Sequence, residues 1–106
     1  MSFTNGNVST LSFDDDGYAY FNSLDDKYGS FIVFVYTTSG KGATAAFSLS
    51  KSESAYSILT LSSVAGSRGK TVDLGISGSG QFFIQCLGNV AGETHGSMDY
   101  FIKIIG

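Results

Sequence analysis

Proline is missing from the 106 residues, where a chain of this length averages about five; the sequence offers no physical account of that absence. Other scarcities are more informative. A single cysteine, Cys86, rules out an intrachain disulfide, and its place in the apolar run Phe82-Phe83-Ile84-Gln85-Cys86-Leu87 suits a buried thiol. Only six basic residues stand against nine acidic ones, scattered along the chain, for a net charge of −3. Nucleic acid is therefore not an expected partner, because phosphate affinity needs clustered Lys and Arg. No apolar run approaches the roughly 20 residues of a membrane helix, so no membrane insertion is expected. The start, Met1-Ser2-Phe3-Thr4-Asn5-Gly6, has neither a basic stretch nor an apolar core. No signal peptide is expected, and synthesis in the cytoplasm is. Asn7-Val8-Ser9 has the form of a glycosylation sequon, but without a signal peptide it reads as the beginning of a strand.

What the chain does contain is nine Phe and six Tyr within an apolar fraction of 42%, together with 14 Gly and abundant Ser and Thr. That is enough to fill one core without staples, and residues 1–106 are expected to form a single β-sandwich domain. Glycine and short polar clusters punctuate the sequence every 8–12 residues or so, the spacing of strands in a sandwich or barrel. Strands are predicted at Asn7–Phe13, Gly17–Asn22, Ser30–Thr37, Ala43–Ser50, Ala55–Ser63, Lys70–Ile76, Gln81–Leu87 and Ser97–Ile105. The fold class expected is all-β, an antiparallel two-sheet β-sandwich, jelly-roll-like, of about eight strands. Helix has little room beyond one turn at Lys51-Ser52-Glu53-Ser54. Ala43, Ala45, Phe47 and Leu49 share one face of a half-buried strand, as do Val72, Leu74 and Ile76. Phe31-Ile32-Val33-Phe34-Val35-Tyr36 is apolar on both faces, and Tyr100-Phe101-Ile102-Lys103-Ile104-Ile105 nearly so. Each is then a central strand or one whose outer face a partner covers.

Several stretches resemble functional motifs. Gly66-Ser67-Arg68-Gly69-Lys70-Thr71 ends like a phosphate-binding loop, but the first glycine of that motif falls on Val64. The following residues read as a strand rather than a helix, which makes the segment a hairpin turn. Asp14-Asp15-Asp16-Gly17, with Asp25-Asp26 further on, offers carboxylates to calcium. Consecutive Asp side chains on extended chain diverge and the closing Glu of an EF-hand is missing, so a solvated acidic turn is expected and no metal site is assigned. His95, the single histidine, lies in Gly92-Glu93-Thr94-His95-Gly96-Ser97 without an orienting partner. It reads as an exposed loop residue rather than a general base, and zinc would need further ligands. Neither a catalytic residue nor a cofactor is assigned. Tyr18 and Tyr20 alternate with Ala19 and Phe21, and core packing is the expected role of the aromatics there. The other reading makes Tyr18 and Tyr20 a stacking platform for a sugar, with Asp14 and Asp16 accepting its hydroxyls.

From Ser30 to Ile105 the chain resembles small domains of phage tail and fibre proteins. The resemblance rests on Gly29-Ser30-Phe31-Ile32-Val33, the small-residue strand Ala43-Thr44-Ala45-Ala46-Phe47, the turn Ser62-Ser63-Val64-Ala65-Gly66 and the terminal Tyr100-Phe101-Ile102-Lys103-Ile104. It covers roughly two-thirds of the chain and is one of composition and topology. It implies a non-enzymatic virion component of tail, fibre or decoration type, acting by self-assembly and surface binding. The implied partners are other copies of the chain, with a homotrimer favoured, and other virion proteins or a cell-surface glycan. Phe31, Val33, Val35, Phe101 and Ile105 are the interface candidates. On β-sandwich geometry alone, either Ile32, Phe34 and Tyr36 or Phe31, Val33 and Val35 need covering, unless the loop Leu87–Ser97 does it. The competing expectation is a monomeric carbohydrate-binding sandwich using Tyr18, Tyr20, Asp14 and Asp16, with a surface calcium ion.

Overall fold

In the computed structural model, which describes residues 7–87 and 99–106, eight antiparallel strands form two sheets. They are β1 (Asn7–Leu11), β2 (Tyr18–Phe21), β3 (Gly29–Thr37), β4 (Thr44–Lys51), β5 (Tyr56–Val64), β6 (Thr71–Ile76), β7 (Phe82–Leu87) and β8 (Tyr100–Ile105). The larger sheet runs β1-β8-β3-β4-β5 and the smaller β2-β7-β6. Pairing of β1 with β8 and β2 with β7 gives the nested part of a roll, while β3-β4-β5 is a plain meander. The division is thus five strands against three.

Alternation decides what lies between the sheets. Phe31, Val33 and Val35 of β3, Ala45, Phe47 and Leu49 of β4, and Ile102 and Ile104 of β8 point inward, where they meet Val72, Leu74, Phe82, Ile84 and Cys86 from the smaller sheet. Each large apolar side chain so buried contributes roughly 1.5–3 kcal/mol. Three strands cannot blanket five. The inter-sheet contacts run from β6 to β4 and β5 and from β2 to β1, and β5 keeps only Ile58 packed against the core.

The turns explain where the strands stop. β1 ends at Leu11, short of the expected Phe13, whose ring turns edge-on to Tyr100 with centroids 5.4 Å apart. Tyr100 is itself held by the Ala43 N–H, which donates to its hydroxyl at 3.1 Å inside the core. The expected helical turn at Lys51-Ser54 does not form. Lys51 closes β4, and residues 52–55 make a tight turn in which the Ser52 N–H donates to the Ala55 carbonyl at 2.8 Å and Ser52 Oγ accepts the Ala55 N–H. A serine side chain there competes with helical bonding. The one helical piece among the described residues is a 3₁₀ turn at Ser67–Gly69. It occupies the stretch that resembled a phosphate-binding loop and leads directly into β6. Gly66, just before it, is required by close approach: an added Cβ would lie 2.5 Å from the Lys41 carbonyl oxygen and 2.7 Å from the Ala43 nitrogen. No helix of the described residues is long and apolar enough to cross a membrane.

Candidate functional site

The uncovered surface of the larger sheet begins with register. Ile32, Phe34 and Tyr36 on β3 lie opposite Ile105, Lys103 and Phe101 on β8, and all six point away from the smaller sheet. Tyr36 and Phe101 bring their rings to 5.6 Å. A shallow depression of about 370 Å³ opens among Phe34, Tyr36, Thr44, Lys103 and Ile105. Beyond β4 the surface continues onto β5, where Leu59 faces Ser48 and Val64 faces Thr44 across the ladder. Leu59 is 63% exposed, Leu61 51% and Val64 59%. Nothing between Tyr56 and Val64 is charged, and neither proline nor glycine interrupts it. As the last strand of its sheet, β5 has a strand partner on one side only among the described residues, which leaves its other row of backbone N–H and C=O groups without a ladder there.

A second, smaller cluster lies on the outer face of the three-stranded sheet. The rings of Tyr18 and Tyr20 stack at 6.1 Å, and Phe83 stands at a steep angle to both, 5.0 and 5.7 Å away. Phe83 leans over Gly75, where an added Cβ would sit 2.6 Å from the ring. An aromatic covering a strand glycine in this way protects the bare backbone. Gln85 Nε2 donates to the Tyr18 hydroxyl at 3.1 Å, and Asp73 is the cross-strand neighbour of Gln85. Tyr20 remains 48% exposed. Three rings with an amide and a carboxylate beside them make a surface that can stack on an apolar ring face and accept hydrogen bonds from hydroxyls.

Several expected site residues are placed otherwise. Phe31, Val33 and Val35 are core, not interface, because β3 turns that parity into the buried cluster between the sheets; the set left outside is Ile32, Phe34 and Tyr36. Phe101 and Ile105 are on the outer face. Of the two alternating sets of β2, Ala19 and Phe21 are the one turned to the core, and Tyr18 and Tyr20 face outward. Asp14 is not free to take a ligand with Oδ1. That atom accepts the N–H groups of Asp16 at 3.0 Å and Tyr18 at 2.9 Å, so the carboxylate locks its own turn. Asp16 is exposed in the same turn, and no group of three or more His, Cys, Asp or Glu among the described residues is arranged to hold a metal ion. His95, with Glu93 and Ser97, and most of the loop Leu87–Ser97 lie outside the described residues.

Residues missed in the sequence are Leu59, Leu61 and Val64 on β5, and Phe83 and Gln85 on β7. The uncharged run Tyr56-Ser57-Ile58-Leu59-Thr60-Leu61-Ser62-Ser63-Val64 was the available signal for the first group. The second was hidden in a strand apolar on both faces. Cys86 is buried as expected, and desolvation pushes its thiol pKa up against the opposing pull of the Lys70 charge. A thiol held neutral in this way is a packing group rather than a nucleophile. Compared with known proteins, the chain matches no family model, no curated protein and no solved structure.

Proposed function

We propose that this chain is a non-enzymatic assembly module that associates with copies of itself through the β5 edge and the outer face of its five-stranded sheet. The observation that carries the reading is the set of apolar side chains on the outer face and edge of that sheet. Phe34, Tyr36 and Phe101 are half-buried and Ile105 exposed on β3 and β8, Leu59 and Val64 are exposed on β5, and Thr44, Ala46 and Ser48 of β4 lie between the two groups. Soluble monomers rarely leave large apolar side chains grouped in water, and symmetric self-association is the commonest way to cover them. The resemblance to phage tail and fibre domains supplies the biological setting, a virion component meeting its own copies and other virion proteins. Multi-angle light scattering over a range of micromolar concentrations tests the reading. A mass above one chain that rises with concentration is expected; a single-chain mass at every concentration overturns it.

A second reading has its own observation in the Tyr18, Tyr20, Phe83 and Gln85 cluster, which suits a glycan. In a virion component it would serve receptor binding. Titration with neutral oligosaccharides followed by tyrosine fluorescence tests it, and Tyr20→Ala should abolish any response. A response that survives the substitution places the sugar elsewhere.

A further inference from the structure

We propose that the first contact in this assembly is edge to edge: β5 pairs antiparallel with β5 of a second copy about a two-fold axis, joining two five-stranded sheets into one. The inference rests on the self-association reading and adds which element makes the contact and with what symmetry.

Length is the first reason. β5 has nine residues, whereas the other three sheet edges, β1, β2 and β6, have five, four and six. Among the described residues, only another β5 offers a ladder as long as itself. The absence of protection is the second. Edge strands are ordinarily blunted by a charge, a proline, shortness or a bulge. β5 has no charge, no proline and full length, and its one irregularity is the register shift opposite Ala46 and Phe47, around Leu61. The bulge adds twist without removing the free row of backbone groups.

Charge supplies the third reason and selects the direction. The nearest charged residues flanking β5 are Glu53 before it and Arg68 after it. Antiparallel pairing centred on Thr60 sets the Glu53 end of each strand, where Lys51 is tied to the Leu24 and Asp25 carbonyls, beside the Arg68 end of the other. A parallel pair would set like beside like. The same register brings Leu59 of one copy across from Leu61 of the other, so that two half-exposed leucines from each chain meet around the axis. An edge of nine residues is about 30 Å long. A contact of that length falls at the low end of specific interfaces, so the pair should come apart on dilution. It also predicts even-numbered assemblies in place of the homotrimer that the fibre resemblance implies.

The test uses the full chain and two variants, with far-UV circular dichroism to confirm that each folds. Leu59→Lys together with Leu61→Lys puts charges on the edge at positions already exposed, and Phe34→Lys puts one on the outer face away from it. At the lowest concentration where wild type associates, wild type and Phe34→Lys should both give a two-chain mass by light scattering, and the double variant a single-chain mass. An associated double variant, or dissociation by Phe34→Lys alone, overturns edge pairing while leaving the self-association reading standing. A wild type that remains one chain up to the highest soluble concentration overturns both. Thr60→Cys supplies a further check in the native fold: a disulfide-linked dimer under mild oxidation is expected, and failure to cross-link in a sample shown to be dimeric overturns the two-fold register.

Discussion

β3 and β5 are strands of equal length, nine residues each, in the same sheet and separated only by β4, yet they spend their apolar residues differently. β3 is apolar without a break from Phe31 to Tyr36, and one parity of that run is sealed between the sheets. β5 mixes Ile58, Leu59 and Leu61 with Ser and Thr, and only Ile58 is drawn toward the core. The difference follows from position. β3 lies inside its sheet with a strand on each side, whereas β5 is the sheet's edge among the described residues, touching the smaller sheet only along part of its length. β3 therefore buries one whole parity of its run, whereas β5 leaves Leu59, Leu61 and Val64 exposed.

Substitutions should separate the two regions sharply. Phe47, beside β3 on β4, is wholly buried between the sheets. Phe47→Ala should cost about 3–5 kcal/mol, measured by urea unfolding, which is a large part of the stability of a domain this size. A cost below ~1 kcal/mol, the range of surface changes, would mean that the centre is not packed as described. The rim is tied to the covered half at one end, where the Ser67 N–H donates to the Lys41 carbonyl at 2.8 Å and Gly66 touches the same backbone. Gly66→Ala forces a methyl into backbone that cannot yield, and should cost ~1–3 kcal/mol, as overpacking does. A neutral result would show that the β5 end is free to move.

The covered half should also be the alkaline weak point. Burial raises the pKa of the Cys86 thiol, and it raises that of the Tyr100 phenol against the hydrogen bond from Ala43. Both groups are neutral in the folded and unfolded chain at pH 7, so they cost nothing there. Above about pH 8.5 for the thiol and ~10 for the phenol, the unfolded chain ionises first and gains free energy that the folded chain does not. Stability should therefore fall as pH rises through that window, and Cys86→Ala should flatten the first part of the fall. Unfolding midpoints at pH 7, 9 and 10.5 check the sign; a rise with pH contradicts it. A smaller effect is expected at the β1–β2 turn, where Asp14→Ala removes an acceptor of two backbone N–H groups and should cost about 1 kcal/mol. Asp16→Ala should cost almost nothing.

These contrasts show where the sequence was legible. Glycine spacing and alternation placed all eight strands within a few residues, because hydrophobic pattern is local and the turns that end strands carry their own chemistry. The parity of β3 was not legible. With Phe31 and Ile32 both apolar, pattern alone gives the strand and not its inward face, and only the neighbour overhead decides. Alternation in β2 likewise gave two sets without saying which is inward, and the structure turns Ala19 and Phe21 in and Tyr18 and Tyr20 out. The acidic turn was legible as a turn, while the alternative role of Asp14 as a sugar ligand fails because its Oδ1 is taken by the turn's own N–H groups. The division into five strands and three, which creates the rim, depends on which hairpins stay in one sheet, and that is a long-range choice no single segment records.

The smallest expected effect carries the comparison furthest. Leu59→Ala removes a large apolar side chain, as Phe47→Ala does, but Leu59 is already 63% exposed, so little hydrophobic burial is lost and no cavity forms. At a dilution where the chain is single, its unfolding free energy should match wild type within ~0.5 kcal/mol, the usual range for surface changes. At concentrations where copies associate, the same substitution should lower the mass measured by light scattering, since Leu59 then lies in the contact around the two-fold axis. A residue neutral to folding and adverse to association is the behaviour expected of a side chain kept for a partner. If Leu59→Ala instead destabilised the single chain by 2 kcal/mol or more, as buried leucines do, β5 would belong to the core of its own sheet, and the distinction between covered centre and exposed rim would fail at the strand that defines it.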